Sequence, residues 1–247
     1  MMIEDVQRLI KRILPHNARY ALRQTVNSFK TTETVFTEIY QKGMWGKRDA
    51  LYSGTGSRGS AADQYVSAIQ QFIDANRISS VVDLGCGDFQ IGMRIAESCE
   101  RYTGVDVVKF VVDENTRRHG SDTVSFRHVN IVEDELPDAD LCLIRQVLQH
   151  LSNAQIKRIL AKLAKYRAVI ITEHYPSDAE FKAPNLDKVH GPGTRVTFGS
   201  AVCLDQPPFE VRSLNLLLDV PGAAAGSPAE ANDPHARGRI RTYLVKV

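Results

Sequence analysis

Residues Val81–Gln90 read Val-Val-Asp-Leu-Gly-Cys-Gly-Asp-Phe-Gln, and Tyr102–Val107 read Tyr-Thr-Gly-Val-Asp-Val. An apolar strand ending in a glycine turn, with a second strand ending in an acid about 20 residues on, constrains this part of the chain to a βαβ unit of a parallel sheet. Gly85 and Gly87 leave backbone room at the strand-to-helix turn, and Asp106 stands where a carboxylate takes both ribose hydroxyls of an adenosine. Asp83 adds an acid within the first strand. Gln90 occupies the position at which a dinucleotide fingerprint carries its third small residue, the one that leaves room for a pyrophosphate on the helix N-terminus. The pattern therefore favours an adenosine-containing cofactor without phosphates.

From Val81 the chain alternates strands and helices in the manner of a doubly wound sheet. Strands are predicted at Val81–Leu84, Tyr102–Asp106, Val124–His128, Leu141–Ile144 and Ala168–Thr172. Between the last two, Ser152-Asn-Ala-Gln155 has the spacing of a capping box, and Ile156, Ile159, Leu160 and Leu163 recur at helical spacing. Ahead of the first strand, Ala62, Tyr65, Val66, Ile69, Phe72 and Ile73 mark a helix ending near Asn76. After Thr172 comes a long polar connection, then two apolar runs, Val211–Leu218 and Ile240–Val247. Pro221–Glu230 between them reads as a mobile surface loop.

Asp83-Leu-Gly-Cys-Gly87 resembles the first motif of class I S-adenosylmethionine-dependent methyltransferases. Asp106 falls at that family's ribose position, and Asp140-Leu-Cys-Leu-Ile-Arg-Gln-Val-Leu-Gln-His-Leu151 is similar to its fourth strand and the turn that follows. The likeness spans roughly residues 60–175. It implies a Rossmann-like, doubly wound seven-stranded α/β sheet, mostly parallel, finished by antiparallel sixth and seventh strands at the two late apolar runs. The implied cofactor is S-adenosyl-L-methionine. Gly85, Cys86 and Gly87 would approach its methionine part, Asp83 would orient its ammonium and Asp106 would bind the ribose. Asn130 and Ile131 would flank the adenine, while Arg145 and Gln146 would line the methionine side and the substrate mouth.

Ahead of this domain, taken as residues 61–247, residues 1–60 read as a helical N-terminal extension. Ile3, Val6, Leu9, Ile10, Ile13 and Leu14 form an amphipathic pattern stopped by Pro15. Six basic residues against two acids over residues 1–30 leave two readings: a solvated helix face, or a surface for a partner or a second copy of the chain. Trp45 and Gly54–Ser57 are lid candidates, with a plain linker as the alternative. A net charge of +2 supplies no extended basic surface, so no nucleic-acid partner is expected. Cys86, Cys99, Cys142 and Cys203 show no paired spacing, no 18-residue apolar run is present, and the first residues lack a signal-peptide core. A cytoplasmic enzyme acting on a small molecule is the expectation.

A hydroxyl acceptor must lose a proton, for which histidine is the natural base. His174, just beyond the fifth strand, is the first candidate and His150 the second, each with a structural alternative. Glu173, Asp178 and His190 near His174 raise the lesser possibility of a divalent metal, although the spacing matches no known metal signature and a metal-free site is preferred. In the long connection, Asn185, Asp187, Arg195 and Asp205 could bond a saccharide, which would be consistent with a loose resemblance to polysaccharide and secondary-metabolite methyltransferases. The alternative is a structured crossover connection with exposed polar residues. Nitrogen methylation needs no dedicated base and stays open, as does a non-catalytic scaffold with an intact cofactor pocket.

Overall fold

The apolar runs become strands because β-branched and aromatic side chains fill them and both sheet faces are covered. The computed structural model describes residues 15–46, 51–222 and 237–246. The amphipathic segment at residues 3–14, with its reading as a self-association surface, and the alanine-rich part of the Pro221–Glu230 loop lie outside these residues. Strands β1 (Ser80–Leu84), β2 (Arg101–Asp106), β3 (Val124–His128), β4 (Leu141–Arg145) and β5 (Ala168–Tyr175) are parallel, in the order β3-β2-β1-β4-β5. Then β7 (Arg239–Lys246) pairs antiparallel with β5, and β6 (Ser213–Pro221) pairs antiparallel with β7, completing a seven-stranded sheet.

This is the expected Rossmann-like sheet, mostly parallel with an antiparallel last strand: β6 pairs antiparallel with β7 and so runs the same way as β5, which leaves β7 reversed among the described strands. Strand β5 also runs past Thr172 to Tyr175, because β7 continues its ladder to the Tyr175–Arg239 pair.

The helices are α1 (His16–Ser28), α2 (Thr32–Gln41), α3 (Ser60–Asn76), α4 (Gln90–Ala96), α5 (Lys109–His119) and α6 (Asn153–Leu160). Alternation along the strands sends successive side chains to opposite faces. Val81, Leu143 and Ile170 join Tyr65, Val66, Ile69 and Ile73 of α3 and Ile95 of α4 in one core. Val82, Leu84, Ile144 and Ile171 join α5, α6 and the buried Val35, Phe36 and Ile39 of α2 in the other. Helix α2 thus contributes to the same core as the sheet.

The capping box that starts α6 is formed in full: Gln155 N donates to Ser152 Oγ at 3.2 Å, and Ser152 N donates to Gln155 Oε1 at 3.0 Å. The helix stops at Leu160, so Leu163 packs from a separate 3-10 turn rather than from the helix. Replacing Ser152 by alanine is expected to cost about 1 kcal/mol. Thermal denaturation should show a midpoint lower by roughly 2–4 °C, whereas Ser152→Thr keeps the acceptor and stays near the wild type.

Candidate active site

The strand order reverses between β1 and β4, and a crevice opens beyond their carboxyl ends. Asp83, Gly85, Cys86, Gly87, Asp106, Asn130, Ile131, Arg145, Gln146 and His150 line this cleft, as do Trp45, Gly56 and Ser57 from the lid candidates. His174 is not among its lining residues.

The turn after β1 needs its glycines for two reasons. Gly85 and Gly87 have φ of 87° and 54°, in the left-handed region that side chains disfavour. A Cβ on Gly85 would also lie 2.6 Å from Val147 Cγ2, and one on Gly87 would lie 2.5 Å from Ser53 Oγ. The turn is then fixed from β2: Gly87 N donates to Asp106 Oδ2 at 3.2 Å and Val108 N donates to Oδ1 at 2.9 Å. Each carboxylate oxygen keeps lone-pair capacity for a hydroxyl. Burial pushes the Asp106 carboxyl upward against these two N–H bonds.

Asp83 accepts the Tyr102 hydroxyl at 2.6 Å. That hydroxyl passes directly over Gly92, where an added Cβ would sit 2.3 Å from it. The close helix-to-sheet contact absent from Gln90 is therefore made by Gly92, and it serves an acid rather than a pyrophosphate. Burial pushes the Asp83 carboxyl up to about 6, with the Tyr102 bond and the Arg145 charge opposing the rise. Burial likewise raises the Cys86 thiol well above its ordinary range, so that it stays neutral.

Beyond β4, Arg145 lies over the Tyr65 ring at 4.9 Å and its Nη2 donates to Gly56 O at 2.7 Å. Gln146 takes a positive φ of 55°, a strained conformation for a residue with a side chain. Arg145 Nε and Gln146 Nε2 are buried without a partner among the described residues. Two carboxylates, a glycine cradle and two unsatisfied donors suit a ligand that carries an ammonium, a carboxylate and vicinal hydroxyls, as the cofactor implied by the sequence does. Asn130 fits less fully than expected: its Oδ1 accepts Val132 N at 3.1 Å within its own turn, which leaves the amide NH2 for a ligand.

The opposite wall comes from α2 and the segment that follows it. Thr32, Phe36 and Tyr40 recur every four residues along one face of α2 and line the cleft. Trp45 packs against Phe36, Tyr40 and His150 with ring centroids 6.0, 5.4 and 5.1 Å away. Tyr40 Oη and Ser53 Oγ are 2.9 Å apart, and Ser53 Oγ accepts Asp88 N at 2.7 Å, which joins this wall to the glycine turn. Sequence reading missed Phe36, Tyr40 and Ser53; the four-residue spacing of two aromatics ahead of Trp45 was the available signal.

The structure corrects the reading of the long connection. His174 belongs to β5, paired with Ile240, and a Cβ on Gly238 would lie 2.8 Å from its Nε2. The ring is thus covered by the chain leading into β7, whose extension of β5 no sequence pattern revealed. Asn185 spends its amide on the carbonyls of Cys203, Gln206 and Pro207, and Asp187 accepts Asn153 N. Arg195 is buried among backbone carbonyls. Asp205 lies on a separate surface cleft with Tyr175 and Arg241. Glu173 accepts Leu148 N and Gln149 N, and burial pushes its carboxyl up to about 8 against these bonds. His190 lies 3.1 Å from Lys30 O and 3.2 Å from Gln155 Nε2. Among the described residues no three His, Cys, Asp or Glu side chains are grouped to hold a metal ion, so Glu173, His174, Asp178 and His190 do not form the site considered for them.

Residues 81–167, from β1 to the threshold of β5, match the family model described as a methyltransferase domain. No curated protein matches the chain. Among solved structures, the N-methyltransferase NodS from Bradyrhizobium japonicum WM9, in complex with S-adenosyl-L-homocysteine, aligns at a TM-score of 0.54 with 14% identity. It covers 86% of this chain and 100% of its own. A DhpI complex with S-adenosylhomocysteine aligns at 0.51 with 15% identity over 87% of this chain and 98% of its own. Magnesium protoporphyrin IX methyltransferase from Synechocystis PCC 6803, with bound S-adenosylmethionine, aligns at 0.50 with 12% identity over 87% and 98%. At these identities the structural likenesses establish the fold. Residues 81–167 thus form a methyltransferase domain, and the glycine turn and the Asp106 position within it support S-adenosylmethionine-dependent methyl transfer by this chain.

Proposed function

We propose that the enzyme methylates a hydroxyl of a small molecule, of the saccharide or secondary-metabolite kind, with His150 as the base. The observation that carries this reading is the placement of His150. Its Nδ1 lies 3.2 Å from Gly191 O, a carbonyl that only accepts, so the proton belongs on Nδ1 and the lone pair on Nε2. Gly191 N donates in return to His150 O at 3.0 Å, which anchors the backbone that carries the ring, and the ring packs against Trp45.

In this reading Asp83 and the Gly85–Gly87 turn hold the methionine end of the cofactor, Asp106 the ribose, and Asn130 and Ile131 the adenine edge. Arg145 and Gln146 lie on the methionine side. The bound cofactor supplies an electrophilic methyl on a sulfonium, and the chain contributes alignment and exclusion of water. Trp45 and Gly54–Ser57 act as the lid, with residues 1–60 as an extension that builds the acceptor side of a domain at 61–247. No helix among the described residues is long and apolar enough to cross a membrane. The four cysteines are unpaired, which supports a reducing cytoplasmic location. Absence of a broad basic field supports a small-molecule rather than a nucleic-acid acceptor. An amine acceptor is the second reading, favoured by the aromatic wall of Phe36, Tyr40 and Trp45, which suits an ammonium group, and in keeping with the name of NodS.

Two measurements test these assignments. His150→Gln should lower kcat on a hydroxyl acceptor by about 10²–10⁴-fold and remove the acid limb of its pH profile. An unchanged kcat and profile assigns the acceptor to the amine class. Asp83 gives the second test. Its folded pKa is raised above the unfolded value, so its contribution to stability is present below the unfolded pKa and is lost as pH rises through about 6. Only the ionised form attracts an ammonium. Calorimetry should therefore show S-adenosylhomocysteine binding weakening below about pH 6, and Asp83→Asn should bind weakly at every pH while melting higher than the wild type above that pH.

A further inference from the structure

Behind the cleft turn lie two buried ionisable side chains that never reach the cleft. Glu173 on β5 and Arg195 in the long connection are 2% and 1% exposed, and neither lines the cavity. Both act on the segment Gln146–Asn153. Glu173 Oε1 accepts Leu148 N at 2.8 Å and Oε2 accepts Gln149 N at 3.1 Å. Arg195 Nη1 donates to Leu148 O and Gln149 O at 3.2 and 3.3 Å, and Nη2 donates to Leu151 O and to Asn153 Oδ1, both at 2.8 Å. Its Nε donates to Leu186 O at 2.9 Å, tying the fork to the connection.

The N–H groups and the carbonyls of Leu148 and Gln149 are thus held from behind, the N–H groups by a carboxyl and the carbonyls by a guanidinium. Burying two ionisable side chains costs desolvation that apolar residues of the same volume would avoid, so stability alone does not account for them. The gripped turn carries Gln146, Val147, His150 and Leu151 into the cleft wall, and the Gln149 amide also donates to Gln146 O at 3.3 Å, next to the strained Gln146 backbone.

We propose that Glu173 and Arg195 are positioning residues that clamp the turn between β4 and α6 from behind, setting His150 against Trp45 and Gln146 on the methionine side of the cleft. The inference rests on the reading of His150 as the base, and its test separates the two. Trp45 is the chain's one tryptophan, with its ring 5.1 Å from the imidazole. A protonated imidazole packed beside an indole quenches its emission, so Trp45 emission reports the His150 contact without any turnover.

The experiment compares wild type with Glu173→Gln, which keeps one acceptor and the shape, and with Arg195→Lys, which keeps the charge and loses the planar fork. His150→Gln provides the blank for the fluorescence step. A loosened turn should lower kcat by roughly 10–100-fold, leave the KM for the cofactor within about twofold, and shrink or shift the pH-dependent quenching of Trp45. Wild-type quenching together with a wild-type kcat in both folded variants overturns the clamp, whatever happens to the melting temperature. Should Arg195→Lys fail to fold, the near-isosteric Glu173→Gln decides alone. If His150→Gln retains full activity, the base assignment fails while the fluorescence step still decides whether the turn is clamped.

Discussion

Two carboxylates, Asp83 and Asp106, are desolvated within one cleft, and much of the surrounding structure answers to that constraint. Burial raises both carboxyls, and each therefore has a dedicated donor: the Tyr102 hydroxyl for Asp83, the N–H groups of Gly87 and Val108 for Asp106. The parallel register makes this possible by pairing Asp83 with Gly104, two residues before Asp106 on β2. Gly104 must be small, since a Cβ there would sit 2.8 Å from the Phe126 ring and 3.0 Å from Cys86 Sγ. Gly92 must be small so that Tyr102 reaches across α4. A site that holds two acids in this way favours a ligand bringing a positive charge to one and hydroxyls to the other, and disfavours phosphate.

The long connection after β5 has a structural purpose that its polar composition conceals. Gln24 Oε1 accepts Val189 N, Asn27 donates to His190 O, and His190 Nε2 lies 3.1 Å from Lys30 O. These bonds fasten α1 and the start of α2 to the connection. Arg195 and Lys188 then reach from the same segment to the carbonyls of the cleft turn, Lys188 Nζ donating to His150 O at 3.1 Å. Burial lowers the Lys188 ammonium to about 7, with the Arg195 charge adding to the fall. The segment is a strut between the aromatic wall and the turn that bears His150, and its polar residues are consumed in bracing rather than left for a substrate.

The sheet and the cofactor half of the cleft were legible because each rests on local signals. Glycines at a strand end, an acid one strand later and a capping box at Ser152 specify geometry within a few residues of themselves. The acceptor half was not legible because its geometry is non-local. Whether His174 reaches the cleft depends on how far β7 extends β5, a pairing across more than sixty positions that leaves no mark near His174. Asn185, Asp187 and Arg195 have the composition of a substrate loop, and only the fold shows that backbone carbonyls and amides have taken them. Phe36 and Tyr40 carry no polar signature of a site, and only the fold shows that α2 runs through them and that Phe36 both packs in the core and lines the cleft.

These contacts divide the work of the site between two parts of the chain. The cofactor side is built on strand ends whose positions the sheet ladder fixes, so it tolerates little variation. The proposed acceptor side is built on α2 and Trp45, which touch the sheet through side-chain packing and the strut. His150 sits on the seam: its backbone belongs to the turn after β4, while its ring packs against Trp45 and Phe36. On the proposed reading an acceptor enters between these walls, beside the aromatic rings and the imidazole. Phe36, Tyr40 and Trp45 would then select it more than the polar connection, whose side chains are already bonded. Changes confined to α2 and Trp45 would accordingly alter acceptor choice while leaving Asp83, the glycine turn and Asp106 undisturbed.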